Sequence, residues 1–232
     1  MNYDSGNGLI VPTGEDPLEF STSFTPITFP APVSHPTWYS SRGADRIWRL
    51  VEDGAPGTWR IQGQINQPLG SGPRHIATRG NMLYTLHELA STLTQQLIPP
   101  APNGTTPLIA NFSILPPGLP EGAAMAAAEI LVAEASLDFP APYIYVSNRS
   151  TWRRDRHFQV EPELKLLKYV YTGLDQIRGM QLGGPQKEFL IASGVAGDAG
   201  VIMLRRTEGG ADLELLTGNL DVPTRTSFVW LD

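Results

Sequence analysis

Cysteine is missing altogether from these 232 residues. Its absence excludes disulfides, thiolate-ligated zinc and thiol catalysis, and it fits a reducing compartment, so the cytoplasm is the expected location. Long apolar runs are missing too. No stretch approaches the ~20 residues of a membrane span, and the opening MNYDSGNGLIVPTGEDPLEF has neither the basic start nor the apolar core of a secretory signal. Positive charge is scarce: Lys and Arg total 17 against 23 Asp and Glu, a formal balance of −6. That acidity argues against nucleic acid and anionic membranes as partners. No phosphate-cradling glycine loop, metal-ligand cluster or Ser-His-Asp order stands out. No metal and no cofactor is therefore expected.

What is plentiful is punctuation. There are 23 glycines and 21 prolines, spread along a chain that is 41% hydrophobic and 17% charged. The balance is globular, and spread turn residues mean many short elements, so an all-β sandwich, barrel or propeller is expected. Residues 1–36 read as an irregular N-terminal segment, because Pro12, Pro17, Pro26, Pro30, Pro32 and Pro36 break up any strand. A single domain is expected over 37–232.

From Ala44 the texture changes. DRIWRLV (45–51) and TWRIQ (58–62) alternate around the turn EDGAPG, which is a hairpin signal that makes Trp48 and Trp59 expected cross-strand partners. Strands follow near 74–77, 82–86, 92–98 and 108–115. The segments EGAAMAAAEILVAEA (121–135) and EPELKLLK (161–168) have strong helix propensity. They lead into strand-like neighbours, however, and strands are the favoured reading of both. RRDR (153–156) reads as a charged loop.

One pattern recurs three times: MLYTLHE (82–88), YIYVSNR (143–149) and EFLIASG (188–194). Each is an apolar strand after a turn, ends in small polar residues and precedes another strand. A repeat of roughly 45–60 residues suits a four-stranded propeller blade, which buries its faces only by stacking on other blades.

GPRHIATRGNMLYTLHELASTL (72–93) places Arg74 and His75 on one strand and His87 and Glu88 at the end of the next. Arg74 and Glu88 are either a plain cross-strand ion pair or part of a converging site. His87, on the face opposite Glu88, reads as structural.

This stretch resembles the lactonase family of seven-bladed β-propellers, which includes 6-phosphogluconolactonases and the fungal carboxymuconate lactonising enzymes. AEI (128–130) with YVSNR (145–149) is similar to that family's following blade, and YTGLDQIRGM (171–180) to the one after. TSFVWL (226–231) is similar to the strand that completes the ring. The resemblance covers about 43–231 and implies an incomplete, N-terminally truncated propeller of about four to five blades instead of seven. It also implies that the blade beginning near His35 has lost its inner strand, leaving only PTWYSSR (36–42).

The resemblance implies a lactonase or lactonising isomerase acting on a small anionic lactone or its open acid, muconate-like or sugar-like. Arg74 and Arg149 would clamp the anion, since the guanidinium fork binds oxyanions in bidentate fashion. Arg178 would stand nearby. Glu88 would be the proton shuttle or its orienter, and His75 or His35 a second such group. The competing reading is a non-catalytic propeller remnant: a binding module, or an incomplete gene product. In either case open blade edges invite self-association. A sandwich without radial blades is a third, weaker reading.

Overall fold

The computed structural model describes residues 2–4, 9–11, 37–41, 43–54, 58–119, 121, 125–149, 154–160, 163–196, 200–222 and 227–230. It is an all-β structure of small antiparallel sheets. β1 (Asn2–Asp4) and β2 (Leu9–Val11) form a two-stranded ribbon. The N-terminal segment is thus not irregular throughout, because its prolines begin only at Pro12.

Four blade-like sheets follow in chain order. The first has three strands: β3 (Thr37–Ser41), β4 (Arg46–Glu52) and β5 (Trp59–Asn66). The second comprises β6 (Pro73–Arg79), β7 (Met82–His87), β8 (Thr92–Leu97) and β9 (Leu108–Ser113). The third runs through β10 (Ala127–Ala133), β11 (Tyr143–Asn148), β12 (Arg154–Gln159) and β13 (Lys165–Tyr171). The fourth holds β14 (Ile177–Gly183), β15 (Phe189–Gly194), β16 (Val201–Thr207) and β17 (Asp212–Asn219), with a single 3-10 turn at Glu208–Gly210 before β17. In each sheet the strands are spatially ordered as they are in sequence.

The first strands of the sheets touch one another: β3 lies against β6, β6 against β10, and β10 against β14. They line the inside of an arc. The described residues thus hold three four-stranded blades and one of three strands, an incomplete propeller.

The cores lie between blades, not within them. Ile47 and Ile65 of the first blade pack with Ile76 and Leu83 of the second. Tyr84, Leu86 and Leu93 pack with Ile130, Ile144 and Val146 of the third. Tyr143 and Tyr145 pack with Ile177, Leu190 and Ile202 of the fourth. Period-two alternation explains the arrangement: odd residues of β11 face one neighbour and even residues the other, so all six are buried. Burial on both faces is also why the three second strands read as continuous apolar runs.

Several expectations are corrected. The 36–42 segment does not lack an inner strand, since β3 pairs with β4 and lies beside β6; the position without a strand in this sheet is beyond β5. Residues 154–156 are not in a loop, as β12 begins at Arg154 and is fixed by pairing on both sides, while Arg153 lies outside the described residues. Ser227–Trp230 is not a strand. Trp230 instead stacks on Phe189, with ring centroids 6.4 Å apart, over the face where Gly183 has no side chain. Trp48 and Trp59 are not partners, because they stand opposite Gln64 and Glu52. The strand readings of 121–135 and 161–168 hold through β10 and β13, where burial between blades outweighs helix propensity. His35 lies outside the described residues.

Candidate active site

The site is built at the inner end of the second and third blades. In β6 the pairing with β7 slips between Pro73 and His75, which places Arg74 on a bulge. In β10 the pairing with β11 slips between Ala127 and Ile130, and Glu129 sits in that interval. A bulge re-aims a side chain out of the regular alternation. Glu88 directly follows β7, and its N–H donates to Gly72 O at 2.7 Å. Arg149 directly follows β11 in the same way, with its N–H donating to Ala126 O at 2.6 Å. Glu88 and Arg149 therefore hold matching positions just after the second strands, and Glu129 stands in β10 where His75 stands in β6, because Ile130 opposite Val146 corresponds to Ile76 opposite Thr85.

These side chains meet. Arg74 Nη1 donates to Glu88 Oε2 at 3.0 Å, and Arg149 Nη2 donates to Glu88 Oε1. Arg74 Nε also donates to Ala128 O at 3.0 Å, reaching across to the third blade. Glu88 is 4% exposed, Arg74 10% and Arg149 18%. The Arg74–Glu88 pair is therefore cross-strand but not a surface pair, and its removal from water makes it count for more than an exposed one. Two guanidiniums against one engaged carboxylate leave a positive balance, which suits an anionic ligand.

Two further groups complete the cluster. His75 Nε2 lies 3.6 Å from Glu129 Oε1. Burial, with Arg74 and Arg149 adding to it, pushes the imidazole down to about 3, so His75 is neutral at physiological pH. Burial pushes the Glu129 carboxyl up to about 7, against the opposing pull of Arg74. Glu129 N–H donates to Ser147 Oγ at 3.0 Å, which anchors the bulge. A carboxyl pushed up to about 7 by burial, with Arg74 pulling against it, is equipped to hold or release a proton.

Residues 27–230 match the family model described as lactonase, 7-bladed beta-propeller. The chain belongs to that family. Among solved structures, this lactonase-family chain is similar to a Lactobacillus plantarum protein at a TM-score of 0.68 and 22% identity, over 83% of this chain and 54% of that one. It is also similar to the periplasmic gluconolactonase of Pseudomonas aeruginosa at a TM-score of 0.63 and 18% identity, over 78% of this chain and 50% of that one. At such identities the likeness shows the fold. The chain spans about half the length of these neighbours. No curated protein matches it significantly.

Of the residues singled out in the sequence, Arg74, His75, Glu88 and Arg149 converge. Arg178 holds the equivalent bulge in β14, where pairing with β15 slips between Ile177 and Gly179, but its side chain is exposed. Among the described residues it shares no hydrogen bond or ion pair with the cluster. His87 is fully buried, with Nε2 2.9 Å from Thr94 Oγ1, in keeping with a structural role. Glu129 was the residue the sequence reading passed over, although it lies inside the AEI segment. Its correspondence to His75 is hidden because β6 and β7 are joined by a short turn at Gly80 and Asn81, whereas a long loop separates β10 from β11.

Proposed function

We propose that this chain binds a small anionic lactone, or the open-chain acid it forms, between Arg74 and Arg149, and interconverts the two. The observation that carries the reading is the meeting of two guanidiniums from adjacent blades on a single buried carboxylate, Glu88. Their planar forks suit the carboxylate or phosphate of such a ligand and the oxyanion that develops at the carbonyl. The family membership and the gluconolactonase among the structural neighbours point the same way and favour a sugar lactone over a muconate-like one.

The test is hydrolysis of 6-phosphoglucono-1,5-lactone, which carries the required anionic group, followed by proton release at constant pH, with the purified chain and its Glu88→Gln variant. Hydrolysis above the spontaneous rate, with kcat/KM falling at least ~10-fold in the variant and the fold retained, is the expected result. Equal rates with and without protein would remove the reading.

A second reading has its own support. Glu88 already occupies donors of both arginines, and Arg74 also holds Ala128 O. Such a network ties two blades together and needs no ligand. Under that reading Glu88→Gln lowers stability and leaves no activity to lose.

A further inference from the structure

We propose that Glu129 is the group that moves the proton at this site, while Glu88 holds the two arginines in position. The inference rests on the lactone reading above and deepens it by dividing the labour between the two carboxyls.

Geometry separates them. Each oxygen of Glu88 accepts a guanidinium N–H, one from each blade. In that state the group is an acceptor whose lone pairs are directed at its arginines, and taking up a proton would break an ion pair in a nearly dry setting. Glu129 is placed differently. It stands on the β10 bulge, its backbone is fixed by Ser147, and it retains 16% of its side-chain exposure. Its carboxyl faces His75 at 3.6 Å, and among the described residues it shares no ion pair with a guanidinium. Burial, acting against Arg74, sets it to exchange a proton near neutrality. A general acid–base group works best when its affinity for the proton lies close to the working pH. The charged and titratable groups that face it are Arg74 and His75 from β6 and, through Glu88, Arg149.

The step balances without any cofactor. Ionised Glu129 takes a proton from water as the water oxygen bonds to the lactone carbonyl carbon. The ring C–O bond then breaks, and Glu129 returns that proton to the departing ring oxygen. The product is the hydroxy acid, which releases its own acidic proton to solvent. Arg74 and Arg149 hold the anionic groups throughout, and neutral His75 stands beside the carboxyl.

The experiment compares the whole chain with Glu129→Gln and Glu88→Gln, using 6-phosphoglucono-1,5-lactone for turnover and gluconate for equilibrium binding. Glu129→Gln is expected to lower kcat by ~10²–10⁴-fold, to keep KM and the gluconate Kd within about threefold, and to abolish the pH-rate limb near neutrality. Glu88→Gln is expected to raise KM and the gluconate Kd and to keep that limb. Carboxyl-labelled glutamate followed by NMR supplies a readout apart from activity: a resonance titrating near pH 7 in the wild type is absent from Glu129→Gln. Glu129→Gln retaining full kcat while Glu88→Gln loses it would overturn the proposal and leave the lactone reading standing. A wild-type chain that opens no lactone would overturn both.

Discussion

Two buried histidines and one buried glutamate give the molecule a pH dependence whose sign follows from their surroundings. Glu129 is raised from 4.5 to about 7 by burial. The folded state therefore holds the extra proton over that window, and its contribution to stability is lost as pH rises through about 7. His75 and His87 are lowered from 6.5 to about 3 and about 4, chiefly by burial. Their contribution is complete above 6.5 and is lost as pH falls toward those values. The three effects oppose one another between pH 4.5 and 6.5. Removing the glutamate unmasks the histidines. Relative to wild type, Glu129→Gln should gain stability with rising pH by up to ~1.4 kcal/mol per unit between about pH 5 and 7. Urea unfolding at a series of pH values measures this, and a difference that does not change with pH would contradict the burial of Glu129 as described.

At the scale of elements, the three-stranded first blade raises the question of what protects its edge. An unpaired strand invites pairing with another chain. Part of the answer lies in the loop PPAPNGTTP that follows β8. Asn103 Oδ1 accepts the Gln64 N–H at 3.0 Å, Gly104 N–H donates to Gln64 O at 3.3 Å, and Ile65 and Gly104 form a parallel bridge. Arg49, buried in the same blade, donates to Pro99 O. The loop approaches so closely that a Cβ at Gly63 would overlap the carbonyl of Pro102. Gly63→Ala should therefore push the loop off β5, costing ~1–3 kcal/mol as overpacking does and speeding hydrogen exchange at the Gln64 amide. Unchanged exchange at Gln64 would show that the loop does not guard this edge. None of this was legible in the sequence, where the loop was only a proline-rich connection. What could be read was whatever a two-sided burial pattern writes in apolar residues, as in β7, β11 and β15. The same logic carried β10, whose alanines suit a helix in isolation but fit the narrow space between inner strands. A bulge writes no such pattern, which is why Arg74 stood out through its neighbours while Glu129 did not. Neither did Trp230, whose position depends on a glycine far away in sequence.

At the scale of the whole molecule, each shared core has a blade on either side, and the far face of the fourth blade is covered differently among the described residues. In β15 and β16, Leu190, Ala192, Ile202 and Leu204 face the third blade and are buried. The alternate residues Phe189, Ile191, Val201 and Met203 face the other way and are only half-buried. Among the described residues, Ser227–Trp230 supplies the cover, with Trp230 lying on Phe189 and Gly183. An apolar sheet face with so slight a cover is a surface for association, and the partner most available in solution is a second copy of the chain. We therefore expect concentration-dependent self-association in sedimentation experiments. Trp230→Ala, which uncovers Phe189, should strengthen it. Met203→Glu, which places a charge in the middle of the face, should weaken it with little effect on the shared core behind. All three proteins sedimenting as monomers at every concentration would show that the short C-terminal cover is sufficient. A Met203→Glu chain that associates as strongly as wild type would direct attention to the β17 edge, where Leu215 and Leu216 are exposed.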